Sequence, residues 1–145
     1  MANPANPVMV EEVPSAAEFI ELRRIMGSPE VDEETATKTI NNALFTICLR
    51  DENRLLGLAR VVGDGILYFY ITDVIVRPEL RGSGYGMLLM KAVMQYLRAA
   101  AHPGAMIVVV PLEGRETFYE RFGFKQCPGG PFGTGMYLPP STLTK

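Results

Sequence analysis

A single mixed α/β domain, with one central sheet of about six to seven strands flanked by about four helices, is predicted by three features of this 145-residue chain. Hydrophobic residues make up 48 % of it, and a chain of this length buries about two thirds of its unfolded surface. Runs of β-branched and aromatic residues alternate with segments whose apolar residues recur at helical spacing. No repeat, low-complexity tract or long linker divides the sequence. Residues 1–145 therefore read as one domain, with residues 1–7 a loose Pro/Asn-rich lead-in.

A first strand is expected around Met9 to Val13. Ser15 followed by Glu18 makes a capping box, and Phe19, Ile20, Leu22 and Ile25 give the following helix its apolar stripe, which ends near Gly27. A second helix should run from about Asp32 to Asn42, with Asp32, Glu33 and Glu34 suiting the positive end of its dipole. "ALFTICLR" and "RLLGLARVV" read as an antiparallel pair turning at "DEN". After the turn "GDG", the run "ILYFYITDVIVRP" has the composition of a strand near the middle of a sheet, with Pro78 marking its exit. From Gly84 the period becomes helical: Leu88, Leu89, Ala92, Val93, Tyr96, Leu97 and Ala100 share one face. "MIVVV" reads as a buried parallel strand reached by a crossover through that helix. "RETFYERF" reads as a short helix closed by Gly123. "FKQC" and "GTGMYLP" are expected to add two closing strands.

Composition excludes several classes of function. A formal charge of −2 and a pI near 5.5 supply no basic face for nucleic acid. Two cysteines in unlike contexts, Cys48 and Cys127, and one histidine, His102, make no zinc pattern, so no metal is expected. Free thiols suit a reducing compartment. The N-terminus lacks the basic and apolar regions of a signal peptide, and no apolar run approaches the ~20 residues of a membrane span. The expectation is a cytoplasmic protein without a membrane partner. Homodimerisation is compatible with the sequence and not required by it.

The stretch "VRPELRGSGYGMLL" carries the most chemistry. Glycines at 82, 84 and 86 leave the backbone uncovered where a strand turns into a helix, so several N–H groups can converge on one anion at the positive end of the helix. Arg81 adds a full charge. The Rossmann fingerprint would need a further glycine where Met87 stands, and the P-loop needs a Gly-Lys-Ser/Thr ending that is absent. The plain alternative is a flexible strand-to-helix turn.

These residues resemble the diphosphate loop of the GNAT superfamily of N-acetyltransferases, Arg/Gln-x-x-Gly-x-Gly/Ala, matched by Arg81, Gly84 and Gly86. "FYERFGF", Phe118 to Phe124, is similar to the helix and strand that close the family's coenzyme A site. The resemblance implies that acetyl-CoA is the cosubstrate, its pyrophosphate held by Arg81, Gly82, Ser83, Gly84, Tyr85 and Gly86. The backbone of Val74, Ile75 and Val76 would lie along its pantetheine arm, with Val74 and Val76 pairing to it as an added strand does. Leu112 stands where many members carry an asparagine that binds that arm.

Acetyl transfer needs a neutral amine, a polarised thioester carbonyl and a protonated leaving thiolate. An amine with pKa near 10.4 is neutral in only about one molecule in a few thousand at pH 7, so a base or desolvation must help. The resemblance makes Tyr119 the acid that protonates the sulfur; its alternative is an amphipathic core tyrosine. Asp73 occupies one half of the Glu-Asp pair that some relatives carry on this strand, with Thr72 in place of the glutamate, and simple strand alternation sets Asp73 opposite to Tyr70, Thr72 and Val74. It could orient the amine, relay through water or cap a turn. A backbone N–H near Val74 can stabilise the oxyanion. His102, Cys127 and the row Met87, Met90 and Met94 read as structural. Between Glu11 and Glu34 stand eight acidic residues against two arginines, a run that would attract a cationic amine or simply solvate a helix face. Tyr68, Tyr70, Phe132 and Tyr137 are candidate aromatic walls. A primary amine of a small molecule is the expected acceptor; a protein lysine or N-terminus, or acyl-CoA binding without turnover, is the alternative.

Overall fold

The computed structural model describes residues 6–143, so most of the expected lead-in lies outside the described residues. The chain divides into two compact units at Val110/Pro111. The first carries a five-stranded sheet in the order β1-β2-β3-β4-β5: β1 Val8–Glu11, β2 Phe45–Asp51, β3 Arg54–Gly63, β4 Tyr68–Val76 and β5 Met106–Val109. The first four strands are antiparallel neighbours, and β5 joins β4 in parallel. Its helices are α1 (Ala16–Ile25), α2 (Glu33–Ile40) and α3 (Tyr85–Ala100). α3 makes the expected crossover between the parallel pair. The second unit carries α4 (Glu116–Glu120) and a C-terminal segment with little regular structure.

The sheet is smaller than the sequence suggests. Neither "FKQC" nor "GTGMYLP" forms a strand, and an isolated bridge between Gly129 and Phe132 is the nearest approach to pairing. Pro128, Pro131, Pro139 and Pro140 interrupt the segment together with Gly129, Gly130, Gly133 and Gly135. Proline donates nothing to a ladder, and interior glycine weakens one. Short apolar stretches between such residues cannot propagate a strand.

The helices begin where the caps place them. Ser15 Oγ accepts from Glu18 N at 3.1 Å, and Glu18 Oε1 accepts from Ser15 N at 2.9 Å, completing the capping box of α1. Asp32 Oδ1 accepts from Thr35 N at 2.7 Å and starts α2. Phe19 and Leu22 of α1, with Ala36 and Ile40 of α2, pack on Cys48, Leu58 and Ile75 of the sheet. On the opposite face Tyr96 of α3 stacks on Phe45 at 4.7 Å and meets Phe69 edge-on at 6.4 Å. Truncating a fully buried residue such as Leu22 in this core removes about 2–5 kcal/mol of stability.

The acidic run is largely neutralised within the fold. Arg50 binds Glu12 at 2.8 Å and Glu18 at 2.6 Å, Arg77 binds Glu21 at 2.9 Å, and Arg24 binds Glu30 at 2.7 Å. The hydrogen bond from Arg50 pulls the Glu18 carboxyl from its ordinary 4.5 down to about 2. Because the folded-state value lies below the unfolded one, this pair stabilises fully above pH 4.5 and loses its contribution as pH falls toward 2. Glu18→Gln should therefore lower the thermal midpoint at pH 7, and the difference from wild type should vanish near pH 2. Circular-dichroism melts at the two pH values check this.

Candidate functional site

β5 pairs with β4 only where Tyr68–Ile71 face Met106–Val109. From Thr72 to Val76, β4 has no ladder partner on that side among the described residues. The free amides can be assigned. Arg77 N donates to Leu56 O of β3 at 3.0 Å, and amides alternate sides along a strand, so those of Val76 and Val74 face away from β3 toward the open edge. Ile75 between them turns its side chain into the core, 2 % exposed.

β4 leads through a short 3₁₀ turn, Pro78–Leu80, into Arg81, Gly82, Ser83 and Gly84, all exposed, and then into α3. Gly82 and Gly84 have φ of +83° and +85°, and a Cβ added at either would meet nothing within 4 Å. Gly84 is the N-cap, with no side chain capping the helix. The first intrahelical bond in this turn runs from Leu88 N to Gly84 O at 3.2 Å. The amides of Tyr85, Gly86 and Met87 are thus the orphan donors of a 16-residue helix. Open space over left-handed glycines, uncapped amides and the adjacent Arg81 form a cradle that fits a pyrophosphate.

Asp73 departs from simple alternation. Asp73 and Val74 together oppose Ala59 of β3, and Asp73 has φ +52°, the geometry of a β-bulge. Thr72 pairs with Arg60 and Ile75 with Leu58, so two residues three apart share a face. The bulge also brings Asp73 to the side of Arg60, whose Nη1 donates to Asp73 Oδ2 at 2.7 Å. Asp73 Oδ1 lies 3.9 Å from Arg23 Nη1 of α1. Arg60 is 3 % exposed; its Nη2 donates to Thr39 O at 2.6 Å, and its guanidinium carbon sits 5.3 Å from the Phe19 ring centre. Leaving such a buried cation without its carboxylate costs about 3–5 kcal/mol.

In the second unit, Tyr119 lies on α4, buried, with edge-on contacts to Phe118 at 5.0 Å and Phe124 at 6.2 Å. Leu112 is exposed. His102 Nδ1 accepts from Gly104 N at 2.9 Å, which makes it part of a turn. Burial pushes the Cys48 thiol up to about 12, removing it as a nucleophile near neutral pH. A cleft of about 380 Å³ lies instead at the β2–β3 turn among Glu18, Glu21, Asn53, Arg54 and Arg77, and contains none of the catalytic or coenzyme-binding residues expected from the sequence. No helix among the described residues is long and apolar enough to cross a membrane.

Arg60 and Arg23 were not legible as site residues, although one signal existed: Asp73 is the single charged residue in the nine of β4. A carboxylate that an interior strand largely covers calls for a cationic partner.

The family model for the acetyltransferase (GNAT) domain matches residues 15–134. The chain belongs to the GNAT acetyltransferases. The crystal structure of a probable acetyltransferase of unknown function from methicillin-resistant Staphylococcus aureus is similar, with a TM-score of 0.84 and 30 % identity, covering 92 % of this chain and 99 % of that one. An uncharacterized N-acetyltransferase of Pyropia yezoensis is 29 % identical over 103 residues, 70 % of this chain and 58 % of that protein. The chloroplastic serotonin N-acetyltransferase 2 of Oryza sativa is 27 % identical over 118 residues, 77 % of this chain and 57 % of the rice enzyme. The GNAT chain thus spans little more than half the length of these two relatives.

Proposed function

We propose that this GNAT protein is an acetyl-CoA-dependent N-acetyltransferase that moves an acetyl group to a primary amine of a small molecule by direct attack on the thioester. The observation that carries the reading is the uncapped start of α3 behind Gly82 and Gly84, directly after a half-strand with outward-facing amides. In this reading the amides of Gly82 to Gly86, with Arg81, hold the pyrophosphate. Val74 and Val76 pair with the pantetheine arm, and the Val74 amide supports the oxyanion. Tyr119 donates the proton to the departing thiolate. Both cysteines are free, which suits the reducing cytoplasm proposed for the protein.

A second acceptor class has one observation in its favour. Tyr68 and Tyr70 of β4 lie beside Met106 and Val108 of β5 on one sheet face, and all four are exposed. An open apolar face suits a peptide carrying a lysine or N-terminal amine. A screen for coenzyme A release over arylalkylamines, polyamines, amino acids, amino sugars and peptides separates the readings. Arylalkylamines come first, since the rice relative is named for serotonin. Turnover with a small amine is expected. Turnover with peptides alone would establish the second class, and acetyl-CoA binding without turnover on any acceptor would leave a sensor.

A further inference from the structure

The left-handed residue in β4 is an aspartate, and its conformation decides which way the following backbone points. Asp73 and Val74 oppose one residue of β3, so the bulge resets the alternation of every later residue of the strand. Without it, the Val74 and Val76 amides would turn toward β3 and Ile75 would leave the core face it shares with Leu58. An L side chain avoids φ +52° unless its surroundings impose it, with Asp and Asn the most tolerant. A part-buried brace holds Asp73 in place. Arg60 Nη1 holds Asp73 Oδ2 at 2.7 Å, while Arg60 Nη2 is fixed to Thr39 O of α2 at 2.6 Å. Phe19 of α1 lies under the same guanidinium at 5.3 Å, and Arg23 approaches the other carboxylate oxygen at 3.9 Å.

We infer that Arg60, acting through Asp73, is a positioning residue for acetyl transfer: the buried ion pair pins the bulge that aims the Val74 and Val76 amides at the open edge of β4. Asp73 is then a brace rather than the base that takes the amine proton. The inference rests on the proposed acetyl-CoA site, and it makes separate demands on substitutions at the two positions.

In Asp73→Asn the amide oxygen can still accept from Arg60, and asparagine tolerates the left-handed region. This variant should melt at a lower temperature, since Arg60 no longer faces a charged partner, but the folded protein should lose clearly less turnover than Asp73→Ala. Asp73→Ala loses the brace, as does Arg60→Met, and each should lower kcat by about 10²-fold through a misaimed amide. Acetyl-CoA affinity should fall by less than kcat in both, because the pairing with the pantetheine arm is weakened while the pyrophosphate cradle is untouched. The double variant should be no worse than either single one, since both remove the same interaction.

Steady-state kinetics and calorimetry with acetyl-CoA on the full chain read all of these, with circular dichroism confirming the fold. If Asp73→Asn is as impaired as Asp73→Ala, or folded Arg60→Met turns over like wild type, the inference is wrong. Should Arg60→Met not fold, Arg60→Lys replaces it. A lysine can reach Asp73 but cannot also hold Thr39, so kcat should fall by more than acetyl-CoA affinity, and unchanged kcat overturns the brace. Wild-type protein that binds no acetyl-CoA would sink the proposed function itself, a result distinct from any pattern among the variants.

Discussion

Gly84→Val should weaken acetyl-CoA binding by about 10²-fold or more while leaving the sheet intact. Two causes act together. At φ +85° a β-branched residue is strained by roughly 1–2 kcal/mol, which the loop can relieve only by rotating its amides away from their common focus. The new side chain also enters the open space above the helix start. Losing two charge-assisted hydrogen bonds, at about 1.5 kcal/mol each, amounts to roughly a hundredfold in affinity. Gly84→Asn separates the causes, because asparagine accepts the left-handed conformation yet still fills the space. It should retain the wild-type melting point and still lose affinity. Isothermal calorimetry on the three proteins decides the matter: unchanged affinity in folded Gly84→Val would place the pyrophosphate elsewhere.

Which parts of this molecule the sequence discloses follows from how local their causes are. Ser15 with Glu18, Asp32 with its acidic neighbours, and the glycines at 82 and 84 act within a few residues, so the starts of α1, α2 and α3 and the bare loop were legible directly. The long runs "RLLGLARVV" and "YFYITDVIV" were legible as strands for the same reason. Pairing is not local. The C-terminal apolar stretches carry strand composition, yet prolines and glycines on both sides deny them a ladder, and composition alone overcounted the sheet. The bulge at Asp73 was hidden for a related reason, since alternation assumes an unbroken register and the register here breaks at a residue whose ion-pair partner, Arg60, stands thirteen residues earlier.

The ion pairs of the fold change how the acidic run is understood. Its carboxylates were candidates for drawing a cationic amine, but Glu12, Glu18, Glu21 and Glu30 all have arginine partners, and Asp32 caps a helix. The charge serves mainly to attach α1 to the sheet through Arg50 and Arg77. These ion pairs leave less free negative charge to draw a cationic amine, while Tyr68 and Tyr70 on the β4–β5 face are exposed.

Tyr119→Phe should lower turnover much more than it weakens acetyl-CoA binding. The ring and its edge-on contacts with Phe118 and Phe124 are retained, so the helix should keep its packing and only the proton donor is removed. General acid catalysis is typically worth ~10² to 10⁴ in rate, and the deficit near neutral pH should fall in that range. The departing thiol has an intrinsic pKa near that of free cysteine, ~8.5, so above that pH the thiolate is a stable leaving group without assistance. The ratio of wild-type to variant kcat should therefore shrink as pH rises through the thiol's value, because the step that Tyr119 serves no longer needs a proton. A pH profile of kcat from 6 to 10, with calorimetry showing acetyl-CoA still bound, tests this, the range being roughly two units to either side of the thiol's value. A deficit of equal size at every pH, or no deficit at all, would return Tyr119 to the role of a packed aromatic residue of α4.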